Sequence, residues 1–155
     1  MRSSRGGLRS ASDVHVVDAN VILYAVNEDA PQHERARGWL DGALAGREPV
    51  AFAWVVLLAF LRLATRRDLF PRPLRPEEAA GVVELWLSAP AAVVLHPGPR
   101  HVSLLRGLLT ATGTAANLVN DAHLAALALE HGADVVSFDR DFGRFEGVRW
   151  SVPRP

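Results

Sequence analysis

A chain of 155 residues is the size of one domain, and 49% apolar with 22% charged residues supplies a core and an ordinary water-facing surface. Seventeen basic and seventeen acidic side chains cancel, so no net field draws the chain toward a polyanion. The absence of cysteine excludes disulfides, zinc–thiolate sites and cysteine nucleophiles, and agrees with a cytoplasmic location.

Residues 1–13 are rich in Arg, Ser and Gly without an apolar core, which predicts a flexible tail rather than a secretory signal, with a single domain over 14–155. The β-branched run Val14-His15-Val16-Val17, ending at Asp18, predicts a buried first strand. A short helix is expected over 20–27 and ends before Pro31. An amphipathic helix follows over 32–44, where Ala36, Trp39, Leu40 and Ala43 recur at helical spacing and Gly46 gives a stop. A brief strand over 49–52 leads into a segment, 53–65, that is apolar almost all round, as in a helix buried between layers. The apolar stretch 50–64 is shorter than the roughly 20 residues that span a bilayer.

Pro71, Pro73 and Pro76 predict a loop over 68–76, and Pro76-Glu77-Glu78 opens a helix that runs to about Ser88. A strand over 92–95, a helix over 100–112 and a small-residue loop over 113–117 come next. The chain then gives a helix over 119–131 capped by Gly132, a strand over 135–138, a helical turn over 142–145 and an edge strand over 148–152. Strands alternating with helices predict a three-layer α/β/α sandwich with a mainly parallel central sheet. Ligands of such sheets bind beyond the carboxyl ends of the strands.

Acidic residues fall at those ends. Asp18 follows the first strand, Asp121 lies in the first turn of a helix, and Asp139 follows a later strand with Asp141 two residues on. Singly, each has a bland explanation as a cap, a helix-dipole partner or a turn residue. Together at one edge they would repel one another unless a cation neutralised them, and a cluster of carboxylate oxygens suits Mg²⁺ or Mn²⁺.

The residues around these acids carry a resemblance. Val16-Val17-Asp18-Ala19-Asn20-Val21 resembles the opening motif of PIN-domain nucleases. Asn120-Asp121-Ala122-His123-Leu124-Ala125 resembles their third-acid helix, and Ser137-Phe138-Asp139-Arg140-Asp141-Phe142 their fourth-acid motif. The Pro31-Gln32-His33 to Trp39-Leu40 stretch and the Trp54 to Arg62 stretch are similar to VapC toxins of bacterial toxin–antitoxin pairs, so the likeness covers nearly the whole chain. It implies a PIN-like fold and a Mg²⁺-dependent endoribonuclease (Mn²⁺ substituting) that leaves 5′-phosphate and 3′-hydroxyl ends. It implies metal ligation by Asp18, Asp121 and Asp139, with Asp141 a further carboxylate of the catalytic site, either a ligand or a partner for a metal-bound water, and Asn20 and Ser137 lining the pocket. A cognate VapB-like antitoxin and a homodimer are implied as partners.

One position departs from the pattern. The family's glutamate before a Phe-Leu-Arg-like segment is replaced by Ala59 in Leu58-Ala59-Phe60-Leu61-Arg62. The expectation is one metal held by three aspartates with reduced affinity, and the rival reading is a weakened or degenerate domain that binds RNA or antitoxin without cutting. Glu28 and Asp29 are expected to lie too far from Asp18 to substitute, at about 1.5 Å of helix per residue. Arg62 and Arg66 share a helix face and are candidate contacts to RNA phosphates, against an equal expectation of surface pairing. The four tryptophans are expected in the core or at an interface, and none of the six histidines shows ligand spacing. A receiver or haloacid-dehalogenase-like phosphatase would need a lysine, and the chain has none; a dinucleotide-binding domain would need glycines where Asp18-Ala19-Asn20 stands.

Overall fold

The β-branched and apolar runs become five short strands in the computed structural model, which describes residues 13–113 and 118–154. The expected tail, apart from Asp13, and the expected loop 113–117, apart from Gly113, lie outside the described residues. Strand β1 (His15–Val17) runs through the middle of the sheet, flanked by β2 (Val50–Phe52) and β4 (Asp134–Val136). Strands β3 (Ala92–Val94) and β5 (Trp150–Ser151) form the edges, giving the order β3-β2-β1-β4-β5 with every pair parallel. Val16, Val17, Val50, Ala51, Phe52 and Val135 are fully buried, as strands covered on both faces require.

Among the described residues, six helices flank this sheet: α1 (Ala19–Val26), α2 (His33–Leu44), α3 (Trp54–Ala64), α4 (Pro76–Ser88), α5 (His101–Thr112) and α6 (Val119–His131). Helices α1 and α2 pack together, α1 and α3 touch, α3 leans on α4, and α5 packs on α6. Pro76 opens α4 as expected, with Glu78 accepting from the Arg75 backbone N–H at 3.1 Å, and Gly132 ends α6 at φ 63°. The chain leaves β1 toward β2 and β3, then returns to the other side of β1 as β4. The strand order therefore reverses between β1 and β4, where an open parallel sheet presents its crevice.

Helix α3 corrects one expectation. It is not buried all round: Phe60, Leu57 and Ala64 face the core, but Trp54 and Leu58, one turn apart, are 46% and 58% exposed. An apolar helix lying on a sheet buries only the stripe that meets the sheet and its neighbours, and nothing within the described chain covers the outer stripe. No described helix is long and apolar enough to cross a membrane.

Candidate metal centre

The crevice between β1 and β4 is built from residues that end those two strands. Asp18 leaves β1 and caps α1, its Oδ1 accepting from the Ala19 N–H at 2.7 Å. Ser137, fully buried directly after β4, donates its hydroxyl to Asp18 Oδ2 at 2.7 Å and accepts from the Asp139 N–H at 2.9 Å. Asn20 closes the network. Its amide donates to Asp18 Oδ2 at 3.2 Å and to Ser137 Oγ at 3.0 Å, while its carbonyl oxygen accepts from the Phe138 N–H at 3.1 Å. Asp139 caps the short 3₁₀ helix Arg140–Arg144 by accepting from the Asp141 N–H at 2.9 Å. Two residues separated by more than a hundred positions, Asp18 and Asp139, are thus held on one serine.

Asp121 enters from the first turn of α6. Carboxylate oxygens of Asp121, Asp139 and Asp141 all lie within 4.8 Å of one another. Asp18 stands just outside that trio, its two oxygens already accepting three hydrogen bonds, yet near enough to act on Asp121 and to feel Asp139. Burial pushes the Asp121 carboxyl up from 3.8 to about 7, reinforced by the charges of Asp18 and Asp139, a hydrogen bond with Asp139 and the charge of Asp141. Burial also raises Asp18, with the Ser137 and Ala19 hydrogen bonds opposing it and Asp139 adding to it. Among the described residues the one cation within 4.0 Å of these four acids is Arg144, 3.8 Å from Asp141. A cluster so short of positive charge, made only of oxygen donors, fits a hard divalent cation.

Asp18 and Asp121 also line a cleft of about 180 Å³ with Ala19, Val55, Val56, Ala59, Asn120 and Leu124. Ala59 therefore sits in the wall facing the acids, where a longer carboxylate would reach into the cleft. Glu28 and Asp29 do not supply it; they lie in a different cavity and pair with Arg72 at 3.5 and 3.8 Å. A larger cavity of about 570 Å³ lies at the amino end of β1, lined by His15, Trp39 and Glu48, and holds no carboxylate cluster.

Of the two arginines singled out on α3, Arg66, just beyond the helix end, is tied to Asp68 through two hydrogen bonds, whereas Arg62 is exposed and has no ion pair among the described residues. The tryptophans divide. Trp86 is buried against Phe52 and Phe60, Trp39 and Trp150 are half-buried, and Trp54 is exposed at the start of α3. Histidine spacing hid a buried chain: His101 Nδ1 meets Glu130 Oε1 at 2.6 Å and His101 Nε2 meets His123 Nδ1 at 2.8 Å. The available signal was the pair His123 and Glu130, polar residues seven apart on one face of an Ala- and Leu-rich helix.

Known proteins resemble this chain over most of its length. The PIN domain family model matches residues 15–148. Ribonuclease VapC37 of Mycobacterium tuberculosis is 61% identical over 138 residues, covering 89% of this chain and 96% of that protein. Ribonuclease VapC31 of the same species is 43% identical over 138 residues, with 89% and 97% covered. Among solved structures, VapBC2 from Rickettsia felis bound to a promoter DNA fragment matches with a TM-score of 0.67 at 17% identity, over 90% of this chain and 98% of that one. The sarcin–ricin loop cleaving toxin VapC20 of M. tuberculosis matches with a TM-score of 0.64 at 21% identity, over 87% and 98%. These two structural likenesses speak for the fold.

Proposed function

The chain belongs to the PIN-domain family, and from that premise we propose that it is a metal-dependent endoribonuclease of the VapC type, a toxin neutralised by a cognate VapB-like antitoxin. The observation that carries the reading is the approach of the Asp121, Asp139 and Asp141 oxygens within 4.8 Å, with Asp18 beside them and, among the described residues, only Arg144 within 4.0 Å as a counterion. Mg²⁺ is the ion proposed, with Mn²⁺ able to replace it, because both accept a few carboxylates and leave positions for substrate phosphate.

Asp18, Asp121 and Asp139 would hold the ion, and Asp141, with an oxygen within 4.8 Å of those of Asp121 and Asp139, would be either a further ligand or the partner of a metal-bound water. When bound, the cation acidifies water and offsets charge that builds on the phosphate. Ser137 and Asn20 keep Asp18 and Asp139 in place through the hydrogen bonds described above, so the ligand geometry exists before substrate arrives. Arg62, three residues beyond Ala59 on α3, is the better placed of the two arginines to meet an RNA phosphate, since Arg66 is already occupied by Asp68. With Ala59 in the cleft wall, the site is proposed to take one ion at reduced affinity rather than two.

A homodimer is proposed as well. The exposed Trp54 and Leu58 on α3, and Leu85 on α4, supply apolar area that supports it. Light scattering coupled to gel filtration reads the outcome directly.

The second reading, a domain that binds RNA or antitoxin without cutting, is favoured by Ala59 alone. Incubation with total RNA and Mn²⁺ decides between them. Cleavage by the parent protein that both EDTA and Asp18→Asn abolish is the expected result. Intact RNA under all conditions would leave only the binding role.

A further inference from the structure

Helix α6 carries Asp121 to the metal centre, so the rotation of the helix about its own axis matters there. Ala122, Ala125, Ala126 and Ala128 are buried along it, together with Leu124 and Leu127. A small rotation of the helix would move every side chain it carries. The consequence at the site is not small. A side chain reaches ~5–6 Å from a helix axis, so a 20° rotation would carry the Asp121 oxygens by ~2 Å. Metal ligation tolerates only ~0.2 Å.

A polar network occupies the opposite side of α6. His101, 7% exposed at the start of α5, meets Glu130 through Nδ1 at 2.6 Å and His123 through Nε2 at 2.8 Å. His123 and Glu130 are seven residues apart, two turns along one face, so a single imidazole grips α6 at two heights. The far end is anchored again, because Glu130 Oε2 accepts from the Gly98 N–H at 2.9 Å. A Cβ at residue 98 would stand 2.6 Å from that oxygen, so the approach depends on glycine there. His123 lies two residues beyond Asp121, about 200° round the helix and ~3 Å along it. Holding one side sets the other.

We propose that His101, with Glu130 and His123, forms a positioning clasp that fixes the rotation of α6 and so places Asp121 among the metal-binding carboxylates. The inference rests on the metal-site reading above and adds residues outside it. None of the three touches substrate or ion; each acts through Asp121. The clasp adds directional hydrogen bonds to the packing of α6, and it holds Asp121 in place while Asp18, Asp139 and Asp141 repel it.

The test uses His123, because its removal leaves the buried Glu130–His101 pair intact. His123→Leu deletes the upper grip, and His123→Asn restores a donor near the position of Nδ1. Mn²⁺ affinity read by electron paramagnetic resonance should fall about tenfold in the leucine variant, with KM for RNA unchanged, and recover to within about threefold in the asparagine variant. In EDTA, amide exchange over residues 122–125 should quicken about fivefold in His123→Leu only. A parent protein that binds no Mn²⁺ would defeat the metal reading, and the exchange comparison would then decide the clasp by itself. Equal exchange protection in all three proteins overturns the clasp. So does Mn²⁺ affinity unchanged in His123→Leu, or a deficit that asparagine fails to repair.

Discussion

The two ends of the sheet treat charge in opposite ways. At the amino end, Asp134 at the head of β4 meets Arg149 at 2.6 Å, and His15 at the head of β1 meets Glu48 at 2.9 Å. At the carboxyl end, four aspartates face one another and a lone arginine stands 3.8 Å from Asp141. The same residue type is matched by a counterion built into the chain at one end, while at the other a single arginine among the described residues serves four acids. Repulsion of that kind costs stability, and a protein keeps it where an external cation completes the site.

The contrast breaks most visibly by neutralising one acid at each end. Asp121→Asn should lower RNA cleavage by at least about 10²-fold, as expected for loss of a group that holds charge in the transition state. Above about pH 7 the same change should raise the melting temperature of the ion-free protein, because it removes a repelled charge. Asp134→Asn should do the reverse, leaving cleavage within about twofold while costing roughly 1–3 kcal/mol by loss of its charged hydrogen bond. Single-turnover assays and thermal melts in EDTA measure both. If both variants lost stability and neither lost activity, the two ends would not differ in role.

Acidity gives the next largest effect. The Asp121 carboxyl binds its proton more tightly folded than unfolded, since its value rises from 3.8 to about 7. Its contribution to stability is therefore complete below about pH 4 and is lost as pH climbs toward about 7, in the ion-free protein. A divalent ion competes with that proton. Mn²⁺ should stabilise little at pH 5 and progressively more up to pH 8, with proton release on binding that calorimetry in two buffers can count. Stabilisation by Mn²⁺ that did not change with pH would count against Asp121 as a ligand.

Ala59→Glu is the smallest and the sharpest change. It places a carboxylate in the cleft wall beside Asp18 and Asp121, and should tighten Mn²⁺ about tenfold while further destabilising the ion-free protein. Unchanged affinity would mean that Ala59 is not the vacant ligand position.

Much of this arrangement was legible in the sequence for a physical reason. The sheet is parallel and covered on both faces, so its strands are short apolar runs and their carboxyl ends are marked by Asp18 and by Ser137 with Asp139. Pro76 and Gly132 announced a helix start and a helix end through local backbone chemistry. What escaped depended on distance. Trp54 and Leu58 looked like core because apolar character cannot say which side of a helix meets the sheet. The tie between Ser137 and Asp18 spans 119 positions, and that between His101 and Glu130 spans 29, so no local spacing encodes either. Strand β4 ends at Val136 and not at 138, because Ser137 and Phe138 already turn to serve Asp18 and Asn20.

A titration of the ion-free protein with Mn²⁺ at pH 7.5, followed by electron paramagnetic resonance beside an Asp139→Asn control, tests the central claim most directly. One ion bound per chain by the parent, lost in the control, is the predicted result. Manganese that stays free in both, or binds equally to both, would show that the acidic end of the sheet is no metal site.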